Sequence, residues 1–502
     1  AARLAERAIE RRGEFGRISH DRRLGKPGGI ERPANRLDLP VHRRRGGDHV
    51  GTGTCRRHGL LAEVDQSRIV VDLGANIFTG ATNEAGLSLA SGPWTIKFNG
   101  SILAADGHGI DLKDTGTFVS TVTIGADAGI VAGHDFGIGI NAAHAANITN
   151  AGHITAHLAG IGETGDGNFR IENSKTGKIV SDLLGIDIES LGTHRVINAG
   201  TIESEYAVRS HAGIENVTNS GTLIGKVDLG EGNDIFTNFR KVAGVVRSGS
   251  VTGSIDLGAG DDIFNGGNRS EIVKDGDGKD TIKLGGGSDR WIADFSSAGD
   301  GVDLVSGGKG IDEYNASASG ANGVAINLDS FDHFVFKAGT VSTIGAAETI
   351  RNFENAIGTS VADTIIGSKG ANLIFGLGGD DYIFGLGGKD ELIGGDGEDS
   401  FVFLSLRDSG PTKASRDVIS GFEGAGIAGG DTIDLSTLNG KLGLVMDFLG
   451  TDVAFNGNAG AVRAMSVNNQ TIVQLDADGD RKADFSIALD GQHNLATSDF
   501  IF

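Results

Sequence analysis

An acidic residue returns every nine positions in two stretches of this 502-residue chain, behind glycines and two residues ahead of a large apolar side chain. In the later stretch the position is held by Asp363, Asn372, Asp381, Asp390 and Asp399, and the apolar residues are Ile365, Ile374, Ile383, Leu392 and Phe401. The loops ahead of the last three acids carry Gly376, Gly378 and Gly379, then Gly385, Gly387 and Gly388, then Gly394, Gly395 and Gly397. The earlier stretch places the acid at Asp234, then at Asp262, Glu271, Asp280 and Asp289, and after a break at Asp303 and Asp312. Carboxylates bring charged oxygen. Glycine tolerates positive φ, so a glycine loop can turn its carbonyl oxygens toward a common point. An oxygen-only donor set of this kind suits calcium, which takes about six to eight oxygens at roughly 2.3–2.6 Å. A flexible glycine linker with chance acids would keep no fixed phase among acid, glycine and apolar residue.

The elements that must hold these loops follow from the spacing. The apolar residue belongs to a short strand whose alternate side chain points inward. Two nine-residue units make one turn, so loops 18 residues apart stack: Asp363 with Asp381, Asn372 with Asp390, Asp381 with Asp399, Asp262 with Asp280, and Glu271 with Asp289. Upstream, residues 66–228 alternate short β-prone segments with Gly, Asn and Ser turns. Ile154, Ile179, Ile202 and Leu223 follow one another at intervals of 25, 23 and 21, each behind an asparagine and a glycine, and Ile102 and Ile130 extend the series. A period of 20–30 residues built from short strands indicates a solenoid, whose coils bury their apolar sides only by stacking. The expected fold is all-β: a parallel β-helix-like solenoid with Ile and Val inward and Asn or Gly at its corners, then a calcium-binding parallel β-roll, then a C-terminal β domain.

The nonapeptides between 229 and 403 resemble the RTX, or hemolysin-type, calcium-binding repeat family. They depart from its pattern where Glu271 and Asn372 replace the aspartate, where Leu377 and Leu386 replace the second glycine, and where the Asp363 loop lacks its glycines. After the repeats, Asp417-Val418-Ile419, Asp431-Thr432-Ile433, Asp484-Phe485 and the terminal Asp499-Phe500-Ile501-Phe502 look like the C-terminal domain of serralysin-type proteins. That resemblance implies that Asp499 to Phe502 are read by a type I secretion apparatus without cleavage. The expected organisation is a basic, disordered leader of uncertain origin (1–65), the β-helix-like region (66–228), the first repeat array (229–315), an intervening β segment (316–357), the second array (358–403) and the secretion domain (404–502).

Composition bounds the function. The net charge is −22, yet residues 1–65 carry 15 Lys/Arg against 9 Asp/Glu, so the body of the chain holds all the acidity. Such a surface argues against nucleic acid as the partner and suits bound cations. Glycine is abundant at 83 residues, and Cys55 is the single cysteine, so no disulfide braces the fold. No apolar run is long enough to span a bilayer, and no N-terminal signal peptide is visible. The chain has no His-Glu-x-x-His zinc motif and no Gly-x-Ser-x-Gly elbow; Gly86-Leu87-Ser88-Leu89-Ala90 lacks the last glycine and reads as a strand. His134, His144, His153 and His157 read as turn or surface residues. Asp476, Asp478, Asp480 and Asp484 hint at an EF-hand loop, but Arg481 and Ile487 occupy its glycine and glutamate positions, so a polar hairpin is preferred. The expectation is a secreted, extracellular or cell-surface calcium-binding protein, structural or adhesive, with a surface polysaccharide as a conceivable ligand. The alternative is an extracellular polysaccharide lyase or epimerase with its site on the β-helix, although no catalytic motif is present.

Overall fold

Alternating apolar and polar residues over four to six positions produce short strands with one buried face, and here those strands stack in parallel. In this computed structural model the described residues are 85–502 apart from 91–93, 115–118, 143–144, 166, 294–300, 320–322, 331–339 and 343–346. Before residue 85 they are the strands His42–Arg43, His49–Gly51, Leu60–Glu63, Ile69–Leu73 and Asn76–Thr82. The expectation for residues 1–65 otherwise lies outside the described residues. Within it, His49–Gly51 and Leu60–Glu63 pair in parallel with Ile69–Leu73 and Leu87–Ala90.

Two long sheets face each other along the described residues. In the first, one inward column runs Val122, Ile148, Ile171, Val196, Val217, Phe236, Phe264, Ile282, Val305 and Ile350. It resumes as Ile326, Ile365, Ile383, Phe401, Ile433 and Phe500. In the second sheet Ile102, Ile130, Ile154, Ile179, Ile202 and Leu223 stack one above another. The predicted coil markers are therefore one column. Further along that sheet Ile255, Val273, Trp291, Tyr314, Ala356, Ile374, Leu392, Ile419 and Leu489 continue in register. These side chains belong to a single apolar core reaching from Ile77 to Phe500. The large, β-branched and aromatic residues suit a pleated surface buried on one face.

The coils shorten along the chain. Between residues 94 and 188 each coil contributes one strand to the first sheet and two to the second, for example Ala146–Asn150, then His153–Ala156 and Ala159–Glu163. In the repeats each turn has one strand per sheet. Excursions leave the stack intact. Phe239–Val242 and Val245–Ser248 form an antiparallel hairpin turning on Ala243 and Gly244, both at positive φ. Residues 325–351 detour through the antiparallel pairing of Ala325–Asn327 with Thr340–Ser342, and of the latter with Ala347–Arg351. Near the C-terminal end Phe485–Asp490 joins the second sheet in parallel with Asp417–Ser420. Gln470–Asp476 and Ala461–Val467 then extend it antiparallel. These strands cover an edge that would otherwise expose unpaired backbone groups.

Candidate functional site: two buried ladders of acids

At one corner of the β-helix, Asn150, Asn173, Asn198, Asn219 and Asn238 are buried. The amide of each donates to the side-chain oxygen of the next at 2.7–2.9 Å. The ladder does not stop where the repeats begin. Asn238 donates to Oε1 of Glu271 at 2.7 Å. The backbone N–H of Glu271 then donates to Asp289 and that of Asp289 to Asp312, at 2.8 and 2.9 Å. Asp312 donates in the same way to Glu354, Asn372 to Asp390, and Asp390 to Asp417.

The opposite corner changes character in the same way. Phe169 stacks on His194, His194 is in register with Glu215, and from there the column is acidic. The N–H of Glu215 donates to Asp234, Asp234 to Asp262, Asp262 to Asp280 and Asp280 to Asp303, at 2.6–2.8 Å. Beyond the detour Asp363 donates to Asp381, Asp381 to Asp399 and Asp399 to Asp431. The five pairs expected 18 residues apart are thus stacked, while acids nine apart, such as Asp303 and Asp312, lie on opposite corners. Stacks with other spacings were not expected: Asp234 with Asp262, Asp280 with Asp303, Asp289 with Asp312, Asp390 with Asp417 and Asp399 with Asp431. Sequence reading also missed Glu215, Glu348, Glu354, Asp417 and Asp431 as ladder members. Each does carry a faint signal, an acid two residues ahead of an apolar strand residue; Asp431 also has glycines in front (Gly424, Gly426, Gly429 and Gly430), while the other four lack the glycine loop.

In each ladder aspartate one oxygen takes a backbone N–H from the neighbouring coil. The other oxygen is buried and, for Asp234, Asp262, Asp289, Asp312, Asp381, Asp390, Asp399 and Asp417, has no hydrogen-bond partner among the described residues. Burial with no compensating positive charge disfavours the ionised form. It pushes the carboxyl groups of Asp262, Asp381 and Asp417 up to about 8, Asp390 to about 7 and Asp399 to about 6. In the loops ahead of Asp363, Asp381, Asp390 and Asp399 the glycine five residues before the acid lies against its second oxygen, Gly358 filling that place in a loop that lacks the later glycines. A β-carbon on Gly376 would run into Oδ2 of Asp381 and the carbonyl oxygen of Gly394. One on Gly358 would meet Oδ2 of Asp363 and the carbonyl oxygen of Gly376. The gap between stacked loops is therefore lined by a carboxylate oxygen and a carbonyl oxygen from 18 residues further on. That donor set fits calcium, and the missing positive charge is what the buried acids require. At the second and fourth loop positions the backbone is left-handed, as at Gly395 and Gly397 (φ 120° and 145°), which favours glycine. Leu377 and Leu386 take the second position at φ 85° and 65°. At the third position of the first of these loops, a β-carbon on Gly378 would meet nothing closer than 3.6 Å, an ordinary van der Waals contact.

Outside the ladders, Ser190 Oγ lies 3.0 Å from Nε2 of buried His194, and the N–H of Phe169 donates to Nδ1 at 3.4 Å. Burial holds this imidazole below its ordinary value, hence neutral, with Nε2–H donating to the serine. A base that activates serine needs the opposite tautomer. His153 is exposed, while His134 and His157 each face an aspartate at the surface, and His144 is outside the described residues. Asp476 is buried, and Asp476 to Asp484 form the polar turn between two antiparallel strands, their carboxylates accepting backbone N–H groups of the turn itself. Among the described residues no helix is long and apolar enough to cross a membrane.

Stacked glycine loops closed by buried carboxylates on a two-sheet parallel solenoid define a calcium-repeat β-roll protein. The chain carries RTX calcium-binding nonapeptide repeats and a serralysin-type C-terminal domain. Residues 265–290 match the RTX calcium-binding nonapeptide repeat, and residues 305–502 match the peptidase M10 serralysin C terminal. That type of C-terminal domain implies type I secretion. No curated protein is similar enough to match. Among solved structures, the AlgE6R3 subunit of the Azotobacter vinelandii mannuronan C5-epimerase is 29% identical, over 30% of this chain and 77% of that one, at a TM-score of 0.22. Extracellular lipase LipA from Serratia marcescens is 14% identical, over 54% of this chain and 45% of that one, at a TM-score of 0.18.

Proposed function

We propose that this protein leaves the cell by type I secretion, folds outside on calcium held by its two acid ladders, and acts there as a structural or adhesive element. The observation that carries this reading is the position of Asp499 to Phe502. Phe500 is buried and pairs with Ile433, two residues beyond the last ladder acid, Asp431. The carboxylate of Asp499 is buried and accepts the N–H groups of Gly426 and Ala496 at 2.8–2.9 Å. The N–H of Leu435 donates to the carbonyl of Ile501 at 2.7 Å. A secretion apparatus could read this segment only before the fold closes over it.

Calcium supplies the timing. At low calcium the stacked carboxylates repel one another and resist burial, so the segment stays free. At the roughly millimolar calcium expected outside cells, extracellular modules with affinities of about 10⁻⁴–10⁻³ M fill, and binding to the folded state alone drives folding. Gly376–Asp381, Gly385–Asp390 and Gly394–Asp399 are the loops assigned to the ions in the second array. Asp234, Asp262, Glu271, Asp280, Asp289, Asp303 and Asp312 are assigned to them in the first. The β-helix ahead of them offers a long, rigid surface of the kind that repeat proteins use for binding. With Ser190 and His194 buried and in the wrong tautomer for a nucleophile, a non-catalytic role is the reading we take.

Hydrogen exchange of the recombinant chain tests the timing. Amides of 497–502 should exchange freely in chelator and be protected in millimolar calcium, together with a gain in far-ultraviolet β signal. Equal protection in both conditions would overturn the switch. Release of unsaturated or epimerised uronate from a polymer would overturn the non-catalytic reading.

A further inference from the structure

A second kind of acidic cluster lies inside the core, where the first array meets the antiparallel detour. Asp275 stands five residues ahead of Asp280, the place filled by Gly376 ahead of Asp381 and by Gly394 ahead of Asp399. Its side chain therefore enters a place that glycine leaves open in the second array and that the buried Leu257 and Leu284 fill in the first. The strand register sets it in an inward column between Leu257 and Ala293, both fully buried. Across the core, Asp303 and Glu348 are ladder neighbours, because Leu304 pairs with Thr349. Carboxylate oxygens of Asp275, Asp303 and Glu348 lie within 4.8 Å of one another, and all three residues are buried.

A second observation points to a ligand there. Asp303 is 1% exposed. Its Oδ1 accepts the N–H of Asp280 at 2.7 Å, while its Oδ2 has no hydrogen-bond partner among the described residues. The fully buried Tyr314 hydroxyl donates to Oε2 of Glu348, which orients that carboxylate as an acceptor. Oxygens bound to one calcium ion stand no farther apart than roughly twice the 2.3–2.6 Å bond, so the three oxygens of the cluster can share one ion. Three carboxylates brought together in the core otherwise face desolvation and mutual repulsion with no positive charge to offset them.

We propose that Asp275, Asp303 and Glu348 hold a further calcium ion inside the core, with Tyr314 beside it. This site differs from the loop sites in taking its ligands from inward-facing side chains in place of glycine carbonyls. It ties the strand Ala347–Arg351, the last of the detour, to the first array. The inference rests on the calcium reading of the ladders, and the experiment separates the two.

Calcium stoichiometry of the full chain is measured by equilibrium dialysis with radiolabelled calcium, and terbium luminescence is excited through tyrosine. The wild type should bind several ions, Asp275→Asn one fewer, and Asp381→Asn should lose ladder binding as a control. Tyr314→Phe should keep the wild-type number while losing most of the tyrosine-sensitised luminescence. Unchanged stoichiometry in Asp275→Asn overturns the interior site and leaves the ladders standing. No calcium bound by the wild type overturns both. If Asp275→Asn does not fold, Asp275→Gly decides, glycine being the residue at this place in the second array: unchanged stoichiometry overturns the site, and one ion fewer supports it.

Discussion

Replacing Asp390 by asparagine should stabilise the metal-free fold and weaken the calcium-loaded one, with the first effect confined to higher pH. Asp390 is buried, its Oδ1 accepts the N–H of Asn372 at 2.9 Å, and its Oδ2 is unpartnered among the described residues. Desolvation first, and then the charge of Asp408, push its carboxyl from 3.8 up to about 7; the hydrogen bond from Asn372 works against them. A displacement of that size corresponds to about 4 kcal/mol. In the metal-free state the folded chain keeps this proton up to about pH 7, whereas the unfolded chain releases it near 3.8. Stability is therefore lost as pH rises between those values, and the full cost is present above 7. An asparagine side chain at this position cannot ionise but keeps an oxygen for the N–H of Asn372. At pH 8 in chelator, Asp390→Asn should exceed the wild type by at most about 4 kcal/mol, and near pH 4 the two should coincide. In millimolar calcium the order should reverse, because the variant has lost a charged ligand. Urea unfolding followed by circular dichroism at both pH values, with and without calcium, reads all four cases. A variant no more stable than the wild type at pH 8 in chelator, or one with an undiminished gain from calcium, would refute the argument.

Glycines at different places in the repeat loops should respond unequally. Gly394→Ala drives a β-carbon into Oδ2 of Asp399 and should sharply raise the calcium needed for folding, whereas Gly378→Ala, meeting only ordinary van der Waals contacts, should change stability by no more than about 0.5 kcal/mol. Calcium titrations of the two variants side by side check this. Leu377→Gly relieves a left-handed leucine that is 40% exposed, a strain of about 1–2 kcal/mol. Glycine's extra freedom in the unfolded chain offsets about half of it, so the urea midpoint in calcium should rise slightly. Asn198→Ala cuts the amide ladder. It removes two ladder bonds, while Asn173 keeps the carbonyls of Gly177 and Thr201 and Asn219 keeps the N–H of Gly221, and should cost about 2 kcal/mol in calcium-loaded thermal or urea unfolding. A loss under about 0.5 kcal/mol would mean that the ladder contributes little.

Period and chemistry were legible in the chain itself. The nine-residue phase of acid, glycine and apolar residue specifies one strand and one loop per unit. Because two units complete a turn, Asp363 over Asp381 and Glu271 over Asp289 followed directly. The isoleucines at 102, 130, 154, 179, 202 and 223 (leucine at the last) likewise marked one column, since each coil buries only one stripe. Phase alone could not reach partners separated by insertions. Asp234 meets Asp262 across a hairpin, Asp390 meets Asp417 across 27 residues and Asp399 meets Asp431 across 32. An excursion leaves a parallel stack undisturbed if it returns to the same corner, so its length carries no trace of the register.

A calcium-repeat solenoid with a serralysin-like end can thus be read from the residues in order, because periodic burial and oxygen donors are written locally. The folded arrangement adds that the asparagine ladder passes into the acid ladder at Asn238 and Glu271, that Asp275, Asp303 and Glu348 converge, and that Asp499 and Phe500 are sealed into the final turn. Those contacts join residues tens of positions apart, and their energies depend on burial, which exists only once both sheets have closed on one another.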